Sequence, residues 1–148
     1  MILENIAELI PHQGAMCLLE RVVDWDETSI RLETDTHRSP DNPLRIDGRL
    51  RAIHLCEYGA QAMAVHGALK TRPRGERPAP GMLVALRSVT FAREYIEDLP
   101  GSLTVGAHCL QASATSQQYV FRISHREVTL AEGRAAVILT AAAPNSRS

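Results

Sequence analysis

The stretch AIHLCEYGAQAMAVHGAL, residues 52–69, decides how the rest of the chain must fold. Small and apolar residues fill nearly every position, so a helix here is apolar on almost all sides and belongs inside the protein. Its few polar side chains are His54, Glu57, Tyr58, Gln61 and His66. A carboxylate buried in such a helix is costly unless it is paired or used in chemistry. Glu57 is therefore the first candidate functional residue.

The segments around this helix have the patterns of β-strands. Residues 16–25 predict a largely buried strand, and residues 29–37 alternate between an apolar face and a polar face that includes His37. Beyond the Pro/Gly/Arg-rich connection at 70–81, three strand regions follow, of which the last is a pair. An apolar helix among about five strands predicts an α+β fold, in which an antiparallel sheet wraps around one long central helix.

Two glycines, Gly59 and Gly67, interrupt the predicted helix. A glycine inside a helix costs about 1 kcal/mol relative to alanine. We expect close packing of the sheet against the small residues of the helix to compensate for this cost.

Composition limits the class of protein. The chain has 148 residues, 45% of them hydrophobic, so residues 1–148 predict a single domain with a frayed tail at about 143–148. A net charge of −1 argues against a nucleic-acid partner. Three widely spaced cysteines, no leader-like start and no long apolar run predict a cytoplasmic protein without a membrane span.

Three polar side chains of the helix share one stripe. His54, Glu57 and Gln61 lie at positions i, i+3 and i+7, and Glu57 and Gln61 are close enough to hydrogen-bond. Burial and the helix dipole act in opposite directions on a carboxyl in the first turns, which can tune it into a general acid or base. The alternative interpretation is that Glu57 is a structural polar residue at a subunit interface, where its hydrogen bonds are satisfied.

Three stretches of the sequence resemble a known family. IAELIPHQGAMCLLERVVD (6–24) and EYGAQAMA (57–64) resemble the opening and the active-site helix of bacterial 3-hydroxyacyl-acyl-carrier-protein dehydratases of the hotdog fold. HRSPDNPLRIDGRL (37–50), followed by the helix, resembles the dehydratases of aryl-polyene-type biosynthetic clusters more closely. The resemblance spans about residues 6–140. It implies a hotdog fold and the dehydration of a 3-hydroxyacyl thioester, in fatty-acid or polyene-type biosynthesis.

The resemblance also implies a division of labour between an acid on the helix and a histidine base from the opposite subunit. Glu57 and Gln61 match the family's helix positions. The family's His-Phe-Pro-Gly loop is absent, and the position fourteen residues before Glu57 is Pro43. His37 is the nearest substitute, so we predict Glu57 as the acid and His37 as the base. Gln61 and His54 are supporting residues, and His54 is the alternative base.

Partners follow from the same resemblance. We predict an acyl thioester substrate carried on phosphopantetheine, with coenzyme A or an acyl carrier protein as carrier, and a homodimer or larger homo-oligomer. The basic segment at 70–77 is a candidate for steering an acidic carrier. We predict no cofactor and no metal site, because His54 and Glu57 alone offer too few ligands. The alternatives are a thioesterase on the same scaffold and a non-catalytic subunit that binds acyl thioesters or serves assembly.

Overall fold

The computed structural model describes residues 6–10, 14–71 and 81–139. Within these residues one α-helix is combined with six strands. Their bounds are β1 Arg21–Trp25, β2 Ser29–Thr34, α1 Leu55–Thr71, β3 Gly81–Phe91, β4 Leu103–Ala112, β5 Ser116–His125 and β6 Val128–Leu139. Short 3₁₀ turns lie at Ile6–Glu8, Gly14–Met16, Thr36–Arg38 and Ala52–His54.

The six strands form one antiparallel sheet in the order β1-β2-β4-β5-β6-β3. On β2 the predicted alternation is confirmed, because Ile30, Leu32 and Thr34 are buried. Buried side chains of β4 and β5 continue the same face of the sheet, and α1 packs against it. The predicted architecture, a sheet around one long helix, is confirmed.

The helix is buried on most of its circumference. The stretch predicted as helical begins with the 3₁₀ turn Ala52–His54, and the α-helix follows from Leu55. One stripe along α1 is only half-buried, although most of its members are small or apolar. We call it the open stripe; it consists of Cys56, Glu57, Ala60, Ala64 and Gly67. Glu57 is therefore the charged member of the open stripe.

The two helix glycines have different surroundings. A Cβ added at Gly59 would lie 2.8 Å from Cδ1 and 2.9 Å from Cγ of the Phe121 ring, whereas a Cβ at Gly67 would meet nothing within 4 Å. The expected close packing is confirmed at Gly59. At Gly67 it is wrong within this chain, because Gly67 belongs to the open stripe.

Gly59→Ala is expected to destabilise the protein by about 1–3 kcal/mol, because the new methyl group overpacks the core against Phe121. Gly67→Ala is the matched control and is expected to stabilise the isolated chain by about 0.5–1 kcal/mol, since alanine is the better helix former. Urea unfolding of both variants measures the difference. Equal free energies of unfolding would contradict the packing described here.

Some sequence predictions fall at the edges of the described chain. The spacing of Ile2, Ile6, Leu9 and Ile10 predicts a helix over residues 2–10, but in its described part this segment is a 3₁₀ turn, Ile6–Glu8. Residues 72–80, which hold most of the basic segment, and the tail at 143–148 lie outside the described residues. Within the described ranges, no helix is long and apolar enough to cross a membrane.

Candidate active site

Glu57 is oriented by Gln61, which lies one turn further along the same helix. The Gln61 side chain, which is fully buried, donates from Nε2 to Oε2 of Glu57 at 3.2 Å. The same nitrogen donates to the Met16 carbonyl at 2.7 Å, while Oε1 accepts the Leu18 N–H at 2.9 Å. The amide of Gln61 is thus fixed from both ends by the backbone before β1. The predicted Glu57–Gln61 hydrogen bond is confirmed.

His54 lies at the approach to the same helix. It ends the 3₁₀ turn Ala52–His54 that leads into α1, three residues before Glu57, and it is half-buried. The structure therefore places His54 and Glu57 in neighbouring turns at the beginning of the helix. The two helical segments are continuous, because the Leu55 N–H donates to the Ala52 carbonyl of the 3₁₀ turn.

His37 lies on the polar face of the strand predicted over 29–37, a phase typical of an exposed strand end, but the structure buries it. The chain leaves β2 after Thr34 and forms the 3₁₀ turn Thr36–Arg38, which buries His37 completely. Its Nε2 lies 2.8 Å from the Leu99 carbonyl oxygen and therefore carries the hydrogen. Nδ1, which holds the lone pair, has no hydrogen-bond partner among the described residues. Burial lowers the pKa of this imidazole below 6.5 and favours the neutral form.

A buried hydroxyl joins the helix of Glu57 to the turn of His37. Tyr58, fully buried, places its hydroxyl 2.9 Å from Thr36 Oγ1 and 3.1 Å from Asn42 Nδ2. The Asn42 amide nitrogen can only donate, and it also donates to the Thr36 carbonyl at 2.9 Å. Tyr58, Thr36 and Asn42 were not among the residues predicted from sequence.

The Leu18 backbone completes this polar network. Its carbonyl accepts the hydroxyls of Thr34 at 2.6 Å and of Thr36 at 2.7 Å, while its N–H donates to Gln61. The hydrogen bonds therefore run without a gap from Asn42 to the Glu57 carboxylate. Apart from the Glu57–Gln61 bond, the contacts of Leu18 with Gln61 and Thr34 and of Asn42 with Tyr58 join residues 16 to 43 positions apart, so no local spacing pattern indicates them.

The other described histidines have structural partners or lie at the surface. His66 is fully buried; its Nε2 bonds the Asp26 carbonyl at 2.8 Å and its Nδ1 accepts the Tyr119 hydroxyl at 2.7 Å. His125 bonds the Pro100 carbonyl at 2.6 Å, and His108 is exposed. The isolated positions of these three histidines in the sequence predict ordinary core or surface roles, and their surroundings agree with that prediction.

Two buried neutral histidines predict acid sensitivity. Burial lowers the pKa of both His37 and His66 below 6.5, so the unfolded chain binds protons that the folded chain does not. Stability from these groups is present above about pH 6.5 and is lost as the pH falls toward the lowered values. The urea concentration at the unfolding midpoint is expected to decrease as the pH is lowered from 7.5 to 5.5. This decrease is expected to be smaller in His66→Phe than in the wild type. Equal slopes in both proteins would contradict the role of His66.

A groove lies on the opposite side of the sheet from this site. It has a volume of about 560 Å³, and its lining includes the outward-facing Arg31 of β2, His108 of β4 and Arg122 of β5. None of His37, His54, Glu57 or Gln61 lines it. In the part of the chain that the structure describes, no cluster of three His, Cys, Asp or Glu side chains is placed to hold a metal ion.

The arrangement suits acid–base chemistry. The carboxyl group of Glu57 is held by the fixed amide of Gln61 on the open stripe. It lies near the start of a helix whose dipole favours a developing negative charge. A neutral imidazole is fixed in the turn that the same polar network supports. General acid–base catalysis needs these groups within reach of one substrate.

Solved structures share this architecture. A chain of the dehydratase heterocomplex ApeI:P from Xenorhabdus doucetiae superposes with a TM-score of 0.84 at 22% identity, covering 95% of this chain and 93% of that chain. A hypothetical thioesterase with coenzyme A from Streptococcus pneumoniae TIGR4 gives a TM-score of 0.57 at 12% identity, with 81% and 84% covered. PaaI from Escherichia coli, a protein of the phenylacetic acid degradation operon, gives 0.60 at 14% identity, with 90% and 86% covered. The shared architecture is the hotdog fold, as predicted.

Sequence comparison is more specific than these superpositions. No curated protein matches the chain in sequence. The family model described as ApeP dehydratase matches residues 4–146, nearly the whole chain. The chain therefore belongs to the ApeP-like family of dehydratases.

Proposed function

We propose that Glu57 is the acid and His37 the base in the dehydration of a 3-hydroxyacyl thioester to the 2-enoyl thioester. The base removes a proton from C2, which the thioester acidifies. The carboxyl group of Glu57 protonates the 3-hydroxyl, which leaves as water while the C2=C3 double bond forms. The positive end of the helix dipole at the start of α1 is suited to stabilise the thioester oxygen as negative charge develops. The observation that carries this proposal is the Glu57 carboxylate, held by Gln61 on the open stripe.

Two histidines are candidates for the base. The neutral imidazole of His37, with an unbonded Nδ1 lone pair among the described residues, supports its assignment. His54 is the second candidate, because it is half-buried and precedes Glu57 by three residues, whereas His37 is fully buried in the protomer. Variants of both histidines distinguish them.

We propose that the active assembly contains at least two hotdog chains. The open stripe leaves Glu57 on an accessible face, and β3, at the edge of the sheet, exposes Leu86 and Phe91. An unpaired edge strand and an apolar helix face both favour association. The solved ApeI:P chain belongs to a heterocomplex, which makes a second, different hotdog chain a possible partner beside a second copy.

Sedimentation at micromolar concentration is expected to give a dimer or larger species for the isolated chain. Gly67→Glu, which puts a charge on the open stripe, is expected to shift the distribution toward monomer. A stable wild-type monomer would contradict the homo-oligomer. The proposed assembly would then require that the monomer co-sediment with a second, different hotdog chain.

The carrier of the substrate is part of the proposal. A phosphopantetheine thioester, on coenzyme A or on an acyl carrier protein, needs no further cofactor for this reaction. An acidic carrier protein complements the basic segment at 70–77, which contains four basic residues and one acidic residue. We place the reaction in the cytoplasm and in fatty-acid or polyene-type biosynthesis.

The experiment incubates the full chain with a 3-hydroxyacyl thioester of coenzyme A and, separately, of an acyl carrier protein. Dehydration yields the 2-enoyl thioester with no free thiol. Release of thiol identifies the thioesterase alternative instead, in which a helix carboxylate directs water or attacks the carbonyl. If the thioester binds but neither the 2-enoyl thioester nor free thiol forms, the isolated chain acts as a non-catalytic subunit that binds acyl thioesters.

A further inference from the structure

Gly106 lies within β4, on the outer face of the sheet, where no contact among the described residues requires a glycine. A Cβ added at this position would come no closer than 3.8 Å to the Arg122 and Ile30 carbonyl oxygens, an ordinary contact distance. The φ angle of Gly106 is also outside the positive range that favours glycine. A glycine inside a strand weakens the strand, and it often marks the close approach of a ligand.

The neighbours of Gly106 make this position the floor of the groove on the outer face. Arg31 of β2 and Arg122 of β5 are its direct neighbours in the sheet, one on each side, and all three residues line the groove. Because adjacent strands lie about 4.8 Å apart, the Cα atoms of the two arginines are separated by about 10 Å across the glycine. Two guanidinium groups therefore flank a position that has no side chain.

Hydroxyl groups line the same groove beside the arginines. Thr104 and Ser124 are opposite each other on β4 and β5, two residues along each strand from Gly106 and Arg122, so they share the outer face. His108 lies two residues beyond Gly106 in the other direction and also lines the groove. Guanidinium and hydroxyl groups donate hydrogen bonds, and arginine forms bidentate pairs with phosphate oxygens. This set of donors suits a phosphate group.

Each of the two arginines is oriented by a carboxylate on the side away from the glycine. Arg31 Nη2 donates to Asp24 Oδ2 at 2.9 Å, and Arg122 donates from Nε and Nη2 to Glu132 Oε2 at 3.3 and 3.2 Å. A guanidinium has five N–H hydrogens, so these pairs leave others for a ligand. The carboxylate of Glu127, in the turn between β5 and β6, also lines the groove, so the part between the arginines is the one that suits an anion.

We infer that this groove binds a small ligand through a phosphate group, which lies over Gly106 between the guanidinium groups of Arg31 and Arg122. The groove volume of about 560 Å³ is within the range of small-molecule sites, roughly 300–1,000 Å³. Val120, which also lines the groove, offers apolar surface to the rest of such a ligand. The inference does not depend on the proposed dehydration, because Glu57 is on the opposite side of the sheet and does not line the groove.

An NMR titration of the ¹⁵N-labelled full chain with inorganic phosphate tests the groove, with sodium chloride at matched ionic strength as the control. We expect saturable shifts of the Gly106 amide and of the Nε–H groups of Arg31 and Arg122 with phosphate. Chloride at matched ionic strength is expected to cause no saturable shift. Equal shifts with both salts would show charge screening alone and would overturn the inference.

Variants of the two arginines test the contacts one by one. Arg31→Gln and Arg122→Gln are each expected to raise the dissociation constant for phosphate by about tenfold, since each removes charge-assisted hydrogen bonds. Arg134→Gln is the matched control, because Arg134 is exposed on β6, opposite Val120, and does not line the groove. It is expected to change the constant only slightly. Equal effects of all three variants would overturn the inference.

Two variants of the glycine separate binding from packing. Gly106→Ala is expected to melt at or above the wild-type temperature, since a Cβ meets no described atom closer than 3.8 Å. Gly106→Val places a larger side chain, of a type favoured in strands, over the floor of the groove and is expected to abolish phosphate binding. A lower melting temperature for Gly106→Ala would show that the fold needs this glycine, and wild-type phosphate affinity in Gly106→Val would remove the groove floor from the site. Either result would overturn the inference.

Glycerol 3-phosphate, titrated beside inorganic phosphate, distinguishes the two sources of a phosphate group. Tighter binding of the ester, with an added shift of the Val120 amide, would assign the groove to an organic phosphate. Equal affinities would assign it to free phosphate. If neither compound gives a saturable shift of the Gly106 amide, the groove is not a phosphate site and the inference is wrong.

Discussion

Glu57→Gln is expected to lower the rate of enoyl thioester formation by about 10²–10⁴-fold, the range for loss of a general acid. Glutamine keeps the length of the side chain, and its Oε1 can still accept the Gln61 Nε2 hydrogen that Glu57 accepts at 3.2 Å. What disappears is the proton that must reach the leaving hydroxyl. The rate is measured on one 3-hydroxyacyl thioester under saturating conditions, with thermal melting as the control for folding.

Glu27→Gln is the matched control for this variant. Glu27 is exposed in the turn between β1 and β2, so the same chemical change there is expected to leave both the rate and the melting temperature unchanged. An unfolded Glu57→Gln protein would assign the carboxylate a structural role. A folded and fully active one would remove Glu57 from the mechanism.

The second large effect is expected at the base. His37→Ala is expected to lower the dehydration rate by about 10²–10⁴-fold, and His54→Ala by less, because His54 would then only support Glu57. His37 is fully buried, so its loss also costs stability. His66→Ala, the loss of an equally buried histidine with no contact to the Glu57 network, is the control for that cost and is expected to keep kcat.

Each outcome of this comparison assigns the base. An inactive His54→Ala beside a near wild-type His37→Ala would move the base to the start of the helix. If neither variant loses activity, the base comes from outside this chain or the reaction is a hydrolysis, and measurement of free thiol distinguishes these two. All rates are measured below the melting temperature of the least stable variant.

The central part of the fold is predictable from the sequence because its patterns are local. A helix that is apolar on nearly every side must be buried, and the alternation of Ile30, Leu32 and Thr34 sets the inner face of β2. The Glu57–Gln61 hydrogen bond follows from one turn of helix, since residues i and i+4 are neighbours. These features need no knowledge of the rest of the chain.

The remainder of the site depends on contacts between distant segments. The polar phase of His37 indicated an exposed strand end, but β2 stops at Thr34 and a 3₁₀ turn carries His37 into the core. The Tyr58–Thr36 contact joins residues 22 positions apart, across an irregular loop whose path no periodicity predicts. A glycine in the helix predicts close packing, but Gly67 lies on the open stripe and packs against nothing in the described part of this chain. The sequence does not show which face of the helix the sheet covers.

Isotope exchange tests most directly the claim that this chain dehydrates a 3-hydroxyacyl thioester through Glu57. The substrate is incubated with the protein in H₂¹⁸O and analysed by mass spectrometry. Reversible loss and return of water places ¹⁸O on C3 of the intact thioester, and we predict this exchange for the wild type and its near absence for Glu57→Gln. Label appearing in the carboxyl group of a free acid, with C3 unlabelled, would show hydrolysis and contradict the account.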